Sequence, residues 1–178
     1  MAARKASDNY AAGPWAVTFA PRSKGETRYW LVKSEPDVFS FGDLQKVPGK
    51  TTHWNSVRNH AARNFMKDGM RKGDLVFWYQ SNADPQAIVG ICEVVKAAYP
   101  DHTAFDPKDD YFDPKSDPKN PTWFMVDVKY KSAFKNPVTL KAIKAEPKLA
   151  QMALIRVGRL SVVPVTFGEW ELIVRMGA

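Results

Sequence analysis

The chain predicts an α+β fold, a small mixed β-sheet or barrel with peripheral helices. Segments of strand character outnumber helical ones and do not alternate with them one for one, which argues against a doubly wound nucleotide fold. The 178 residues, 44% hydrophobic, can bury a core of their own, and that length suits one domain better than two. No stretch approaches the run of about 20 apolar residues that crosses a bilayer.

Residues 1–27 are rich in Ala, Gly, Pro, Ser and charge without a sustained period. They read as a flexible or loosely docked extension, in which only WAVTF (15–19) could form a short strand or tuck against the body, and 28–178 reads as the domain. Tyr29 to Ser34 (YWLVKS) is aromatic and β-branched and stops near Pro36, as a strand would. Ser40 can cap a short helix through Lys46, ended by Val47-Pro48-Gly49.

The stretch 53–66 (HWNSVRNHAARNFM) then has the pattern of a helix entry. Val57, Ala61 and Phe65 recur at helical spacing, and Gly69 is placed to end the helix in a left-handed cap. After a basic turn at 70–74, Leu75 to Gln80 (LVFWYQ) is apolar on both faces and reads as a buried strand. Residues 86–96 form a further strand, whose Gly90 marks a bulge or the close approach of another backbone.

Between 99 and 121 the composition changes. Six aspartates face three lysines, a net of −3 in a chain of +7, leaving about +10 on the rest: an acidic loop on a basic body. Residues 122–130 alternate as a strand, 137–146 and 148–156 suggest two short helices, and 161–165 is a closing strand. Thr166 and Glu169 have capping-box spacing, so 169–176 should be helical.

The sequence pI near 9.5 favours a polyanionic partner. The single cysteine, Cys92, excludes a disulfide framework and suits a reducing compartment. With no signal-peptide core after Arg4 and Lys5, the expected location is cytoplasmic, or nuclear in a eukaryote, with no membrane contact and a monomeric state. There is no phosphate-binding glycine loop, no HExxH and no GxSxG, so no catalytic residue, metal or cofactor is assigned; His53, His60 and His102 read as solvated surface histidines.

The positive signal is aromatics beside amides and cations: Trp54 with Asn55, Trp30 near Lys33 and Ser34, and Tyr79 near Ser81 and Asn82. A splayed-out base needs ring faces for stacking and polar groups for its edge, with Arg58, Arg63, Arg71 and Lys72 available for phosphates. Each residue also has a plainer role. Trp30, Trp78 and Tyr79 fit a core, Trp54 fits a hydrophobic staple, Asn55 fits an N-cap, and Arg58 and Arg63 fit a solvated helix face.

The motifs YWLVKSEP, WNSVRNHAARNFM, KGD, YQSN, IVGICEVVKAAYPDHTAFDP and RLSVVPVT, in that order, resemble the EVE domain family from about residue 29 to 173. The resemblance implies a PUA-like fold, a small mixed β-barrel with peripheral helices related to the YTH and ASCH domains. It also implies a non-enzymatic nucleic-acid reader holding a flipped, modified base: methylated or hydroxymethylated cytosine, or methylated adenine, in DNA or RNA. The resemblance places its motifs on Lys33, Ser34, Trp54, Asn55, Val57, Arg58, Asn59, Tyr79, Gln80, Ser81 and Asn82; with Trp30 from the residue reading these form the expected ligand-binding set, and Arg63, Arg71 and Lys72 are the expected contacts to the strand backbone. Two departures stand out: Gln80 replaces a frequent family histidine, and WNSVRN replaces WDGVRN, putting Asn55 for aspartate and Ser56 for glycine. The alternatives are an ASCH-like ribonuclease and a small-molecule or protein-interaction module.

Overall fold

A computed structural model describes residues 13–178. β1 (Tyr29–Ser34) is the first strand, and it runs parallel to β3 (Leu75–Gln80), with Trp30 beside Val76 and Ser34 beside Gln80. That one parallel pair makes the sheet mixed. All other pairings are antiparallel: β1 with β6 (Val162–Val165), β3 with β4 (Ala87–Pro100), β4 with β5 (Phe124–Thr139), and β5 with β2 (Thr51–Trp54). The six strands therefore lie in the order β2-β5-β4-β3-β1-β6, with β2 and β6 as the ends. The expected α+β architecture of a mixed sheet with peripheral helices is what the chain adopts.

β4 and β5 run beyond the expected 86–96 and 122–130, and their pairing shifts register at several points. Each shift adds twist and bend, so two long strands can curl the sheet around its core. Gly90 marks one of these places. A Cβ there would lie 2.4 Å from the Phe41 ring and 2.5 Å from the Ser132 carbonyl oxygen, so bulge and close approach coincide.

Capping holds the short helices. α1 (Phe41–Lys46) begins at Ser40, whose hydroxyl accepts the Asp43 N–H at 3.0 Å while Asp43 accepts the Ser40 N–H at 2.9 Å. The Thr166–Glu169 box starts α5 (Phe167–Gly177) in the same way, and Trp170 from that helix stacks on Phe77 at 3.9 Å. α3 (Leu140–Ala145) follows β5 directly. The single helix expected over 148–156 is instead a 3-10 turn (Pro147–Leu149) and a four-residue α4 (Ala153–Arg156).

The largest correction concerns the stretch 53–66. Trp54 does not open a helix; it closes β2, a four-residue end strand too short to show a period. The cap is Asn59, not Asn55: its side-chain oxygen accepts the N–H groups of Ala61 and Ala62, and α2 (His60–Asn64) runs on into a π turn (Phe65–Gly69). Gly69 is not left-handed either. Its hydrogen faces the Trp30 ring, where a Cβ would sit 2.5 Å away.

Trp30 is fully buried and donates its indole N–H to Asp74 at 2.8 Å. Asp74, 1% exposed, also accepts both Arg22 η nitrogens at 2.6 Å and the backbone N–H groups of Arg28 and Arg71. Burial pushes its carboxyl up, but these donors outweigh that and hold it below the usual range. Through Arg22, and through Phe19 stacked on Phe65 at 5.5 Å, the segment before β1 is docked from a 3-10 turn (Ala16–Phe19) onward. Within the expected extension 1–27, residues 1–12 lie outside the described residues.

Gly90→Ala should destabilise the domain by about 1–3 kcal/mol, since the new methyl meets a ring and a backbone oxygen. A lowered thermal midpoint in a calorimetric scan would show it, and an unchanged one would mean that the Phe41–Ser132 gap relaxes freely.

Candidate nucleic-acid site

A cleft of about 450 Å³ opens at the C-terminal end of β1. It is lined by Lys33 and Ser34 at the end of β1, by Glu35, Val38 and Phe39 just after it, and by Thr52 to Val57 at the end of β2 and in the turn that follows. Tyr111, from the acidic loop, and Ser161, before β6, complete the rim. Its size falls in the range of small-molecule sites, roughly 300–1,000 Å³.

Trp54 is fixed before any ligand arrives. Its ring meets the buried Trp78 edge to face, centroids 5.1 Å apart, and Trp78 is backed by Phe39 and Phe41. The neighbouring His53 also lines the cleft, and its Nδ1 lies 2.9 Å from both Asp127 and the Tyr99 hydroxyl. At the polar edge, Lys33 Nζ donates to the Gly158 carbonyl at 2.7 Å, and the Ser34 hydroxyl donates to the Phe39 carbonyl. Burial lowers the Lys33 ammonium from its usual value.

Beside the cleft lies an ionic hub. The Asp101 carboxylate, with its side chain fully buried, accepts from Arg58 at 2.9 Å, from the Ser56 N–H at 2.8 Å, and from both the N–H and hydroxyl of Thr103. Burial pushes its carboxyl up, and the donors pull it further down, below the ordinary range. Arg58 also reaches across to the Tyr111 carbonyl, at 2.7 and 2.9 Å, so the acidic loop is latched to the WNSVRN segment. Ser56 stands where the family usually has glycine, and its φ of +62° shows why: the turn needs the left-handed region, which the Asp101 bond holds a serine in.

The residues expected at the site divide accordingly. Lys33, Ser34, Trp54, Asn55 and Val57 line the cleft together. Arg58 and Asn59 lie behind it, one a latch and the other a helix cap. Ser81 donates its N–H to the Ser34 carbonyl at 2.9 Å and so buttresses the edge; Gln80 and Asn82 belong to the same β3–β4 corner and do not line the cleft. Tyr79 is 3% exposed and donates to Gln86, and Trp30 is in the core beside Asp74.

Of the expected backbone cations, Arg63 is engaged with the Thr122 carbonyl and the side chain of its neighbour Asn64. Arg71 and Lys72 precede β3, at the far end of the sheet from the cleft, roughly 20 Å away at about 3.3 Å per strand residue. Residues that sequence reasoning missed are Glu35, His53 and Ser56, which adjoin the expected ones in the same motifs, and Val38, Phe39, Thr52, Tyr111 and Ser161. Among the described residues no group of three or more His, Cys, Asp or Glu is placed to hold a metal, and no helix is long and apolar enough to cross a membrane.

Comparison with known proteins settles the lineage. The EVE domain model matches residues 28–176. The chain belongs to the EVE domain family. Thymocyte nuclear protein 1 of Rattus norvegicus is 39% identical over 177 residues, covering 90% of this chain and 78% of the relative. The Homo sapiens protein of that name is 36% identical over 170 residues, covering 86% and 75%. Among solved structures, a hypothetical protein from Leishmania major superposes with a TM-score of 0.81 at 44% identity, over 88% of this chain and 97% of that one. Human THYN1 protein, solved in complex with 5-methylcytosine containing DNA, has a TM-score of 0.82 at 36% identity, over 85% and 98%. These likenesses bear out the PUA-like fold that the motifs imply.

Arg58→Ala would leave Asp101 buried without its cation, a change that typically costs about 3–5 kcal/mol. Urea denaturation should show a loss of that order, and hydrogen exchange should accelerate around Tyr111; unchanged protection there would mean that the latch is dispensable. For both Asp74 and Asp101 the folded pKa lies below the unfolded value of about 3.9, so their stabilisation is complete above that value and disappears as pH falls through the folded one. Denaturation midpoints should therefore hold between pH 7 and about pH 5 and drop below about pH 4.

Proposed function

We propose that this EVE domain is a nucleic-acid-binding reader whose cleft holds one modified base turned out of its strand. The observation that carries the reading is the walled cleft itself: Trp54 preset by Trp78, with Lys33, Ser34 and Asn55 along the same opening, in a chain similar over most of its length to human THYN1 protein, whose structure contains 5-methylcytosine DNA. Trp54 supplies the stacking face. Ser34, Asn55 and Lys33 supply the polar edge, where Asn55 can both donate and accept while the family's usual aspartate only accepts.

The ligand class is methylated or hydroxymethylated cytosine, or methylated adenine, with 5-methylcytosine in DNA the first to test. Gln80, Ser81 and Asn82 shape the corner behind Ser34, so the glutamine in place of the family's frequent histidine acts through the edge. The role is binding rather than catalysis. Lys33 and Ser34, the groups that could serve as base and nucleophile, each donate to a backbone carbonyl and not to one another. Cleavage of labelled RNA on incubation would overturn that part of the reading.

The wild-type chain should bind an oligonucleotide carrying one 5-methylcytosine or 5-hydroxymethylcytosine more tightly than its plain counterpart in fluorescence anisotropy at fixed salt. Trp54→Ala should remove the preference by costing the modified oligonucleotide about 1–3 kcal/mol, or about 5- to 150-fold in affinity. A variant that keeps the wild-type ratio would sink the stacking role of Trp54.

A further inference from the structure

Among the described residues the one lysine or arginine in the cleft lining is Lys33, whose ammonium is tied to the Gly158 carbonyl, so the strand that carries the base needs a further cation. Arg58 is occupied by Asp101, Thr103 and the Tyr111 carbonyl, Arg63 by Thr122 and Asn64, and Arg71 and Lys72 lie at the other end of β3. The loop that carries Tyr111 offers the wrong sign, with Asp109 and Asp110 just before that residue, and Glu35 and Asp37 add negative charge after the polar edge. Phosphates would be repelled from that side.

The remaining rim is the segment between α4 and β6. Two hydrogen bonds stitch it to the polar edge: Lys33 Nζ donates to the Gly158 carbonyl at 2.7 Å, and the Lys33 N–H donates to the Ser161 carbonyl at 2.9 Å. Arg159 lies between those two anchor points and is exposed, as is Arg156 at the end of α4. Neither guanidinium has a hydrogen-bond or ion-pair partner among the described residues, and residues 151–165 contain no Asp or Glu. An arginine on a pinned backbone, beside an open cleft and with its donors unspent, has the makings of a phosphate clamp.

We infer that Arg159, with Arg156 beside it, is the phosphate-binding rim of this cleft and grips the phosphodiester next to the turned-out base. The inference rests on the reading that the cleft takes a base from a strand. It adds a direction: the backbone crosses the cleft on the 156–161 side and not over the acidic Tyr111 loop. The Lys33–Gly158 bond couples base and backbone recognition, since one end of it faces the cleft and the other carries the rim.

The test is the salt dependence of binding to a short duplex, with and without one 5-methylcytosine, by anisotropy from 50 to 200 mM salt. Each phosphate contact contributes a slope of about −0.9 in log K against log [salt] for duplex DNA, so Arg159→Gln should flatten the slope by about that amount. It should weaken the modified and plain duplexes alike and leave their affinity ratio unchanged. Arg159→Lys should keep most of the slope, because an ammonium still neutralises a phosphate, and a thermal melt of each variant confirms folding. A wild-type slope in Arg159→Gln, or a change in the ratio without a change in slope, overturns the inference. A wild-type ratio of one with a slope that still falls in Arg159→Gln overturns the base-reading role and leaves the phosphate rim standing.

Discussion

The constraint on which the site depends is the buried carboxylate of Asp101. Three segments distant in sequence meet on it: the end of β4 that carries it, the Ser56–Arg58 turn after β2, and, through Arg58, the acidic loop at Tyr111. A buried ion pair alone is poor evidence of stability, because desolvation can exceed the attraction. Here the carboxylate accepts from a guanidinium, two backbone N–H groups and a hydroxyl, so little of its hydrogen-bonding capacity is wasted. The left-handed serine at position 56 follows from this geometry. In the turn between Trp54 and Arg58 the Ser56 N–H points at Asp101, with the backbone at a φ of +62°.

The hub also explains why a motif rich in polar residues contributes so few of them to the cleft. In WNSVRN, the Ser56 N–H, Arg58 and Asn59 are spent on Asp101, Tyr111 and the α2 N-terminus, leaving Trp54, Asn55, Val57 and the Ser56 side chain for the opening. Asp74 plays the same part at the other end of the sheet, where Arg22, Arg28, Trp30 and Arg71 converge. A ligand that needs a rigid wall gains from this division, because the ordering of Trp54 is complete before binding.

Local chemistry was legible in the sequence wherever one segment contains its own cause. The helix caps at Ser40 and Thr166 and the strands at 29–34 and 75–80 follow from residues within reach of one another, whereas the crowding that Gly90 signals comes from Phe41 and Ser132, far away in sequence. β2 was not legible, since four residues cannot display a period and the following helix pattern drew Trp54 into its entry. Trp30 and Tyr79 sit in the same motifs as Lys33 and Ser81, but they are buried and bonded to Asp74 and Gln86, and pairing is not visible in sequence. Tyr111 was hidden for the opposite reason: nothing near it signals a site, and only the Arg58 latch, 53 residues away in sequence, brings it to the cleft.

Charge shows how the two halves of the composition act together. The acidic loop is not a loose counterion cloud. Asp106, Asp109, Asp113 and Asp117 each accept the backbone N–H two residues on, at 2.9 Å, and Asp113 also accepts the Trp123 indole, so the loop is a chain of fixed turns. Fixed negative charge beside a cleft on a basic body discriminates by position: a polyanion is drawn to the molecule as a whole and kept off one rim of the opening. On the proposed reading, long-range attraction would set how fast a strand arrives and short-range repulsion which way it lies. A base turned into the cleft would then meet the Trp54 face in few orientations.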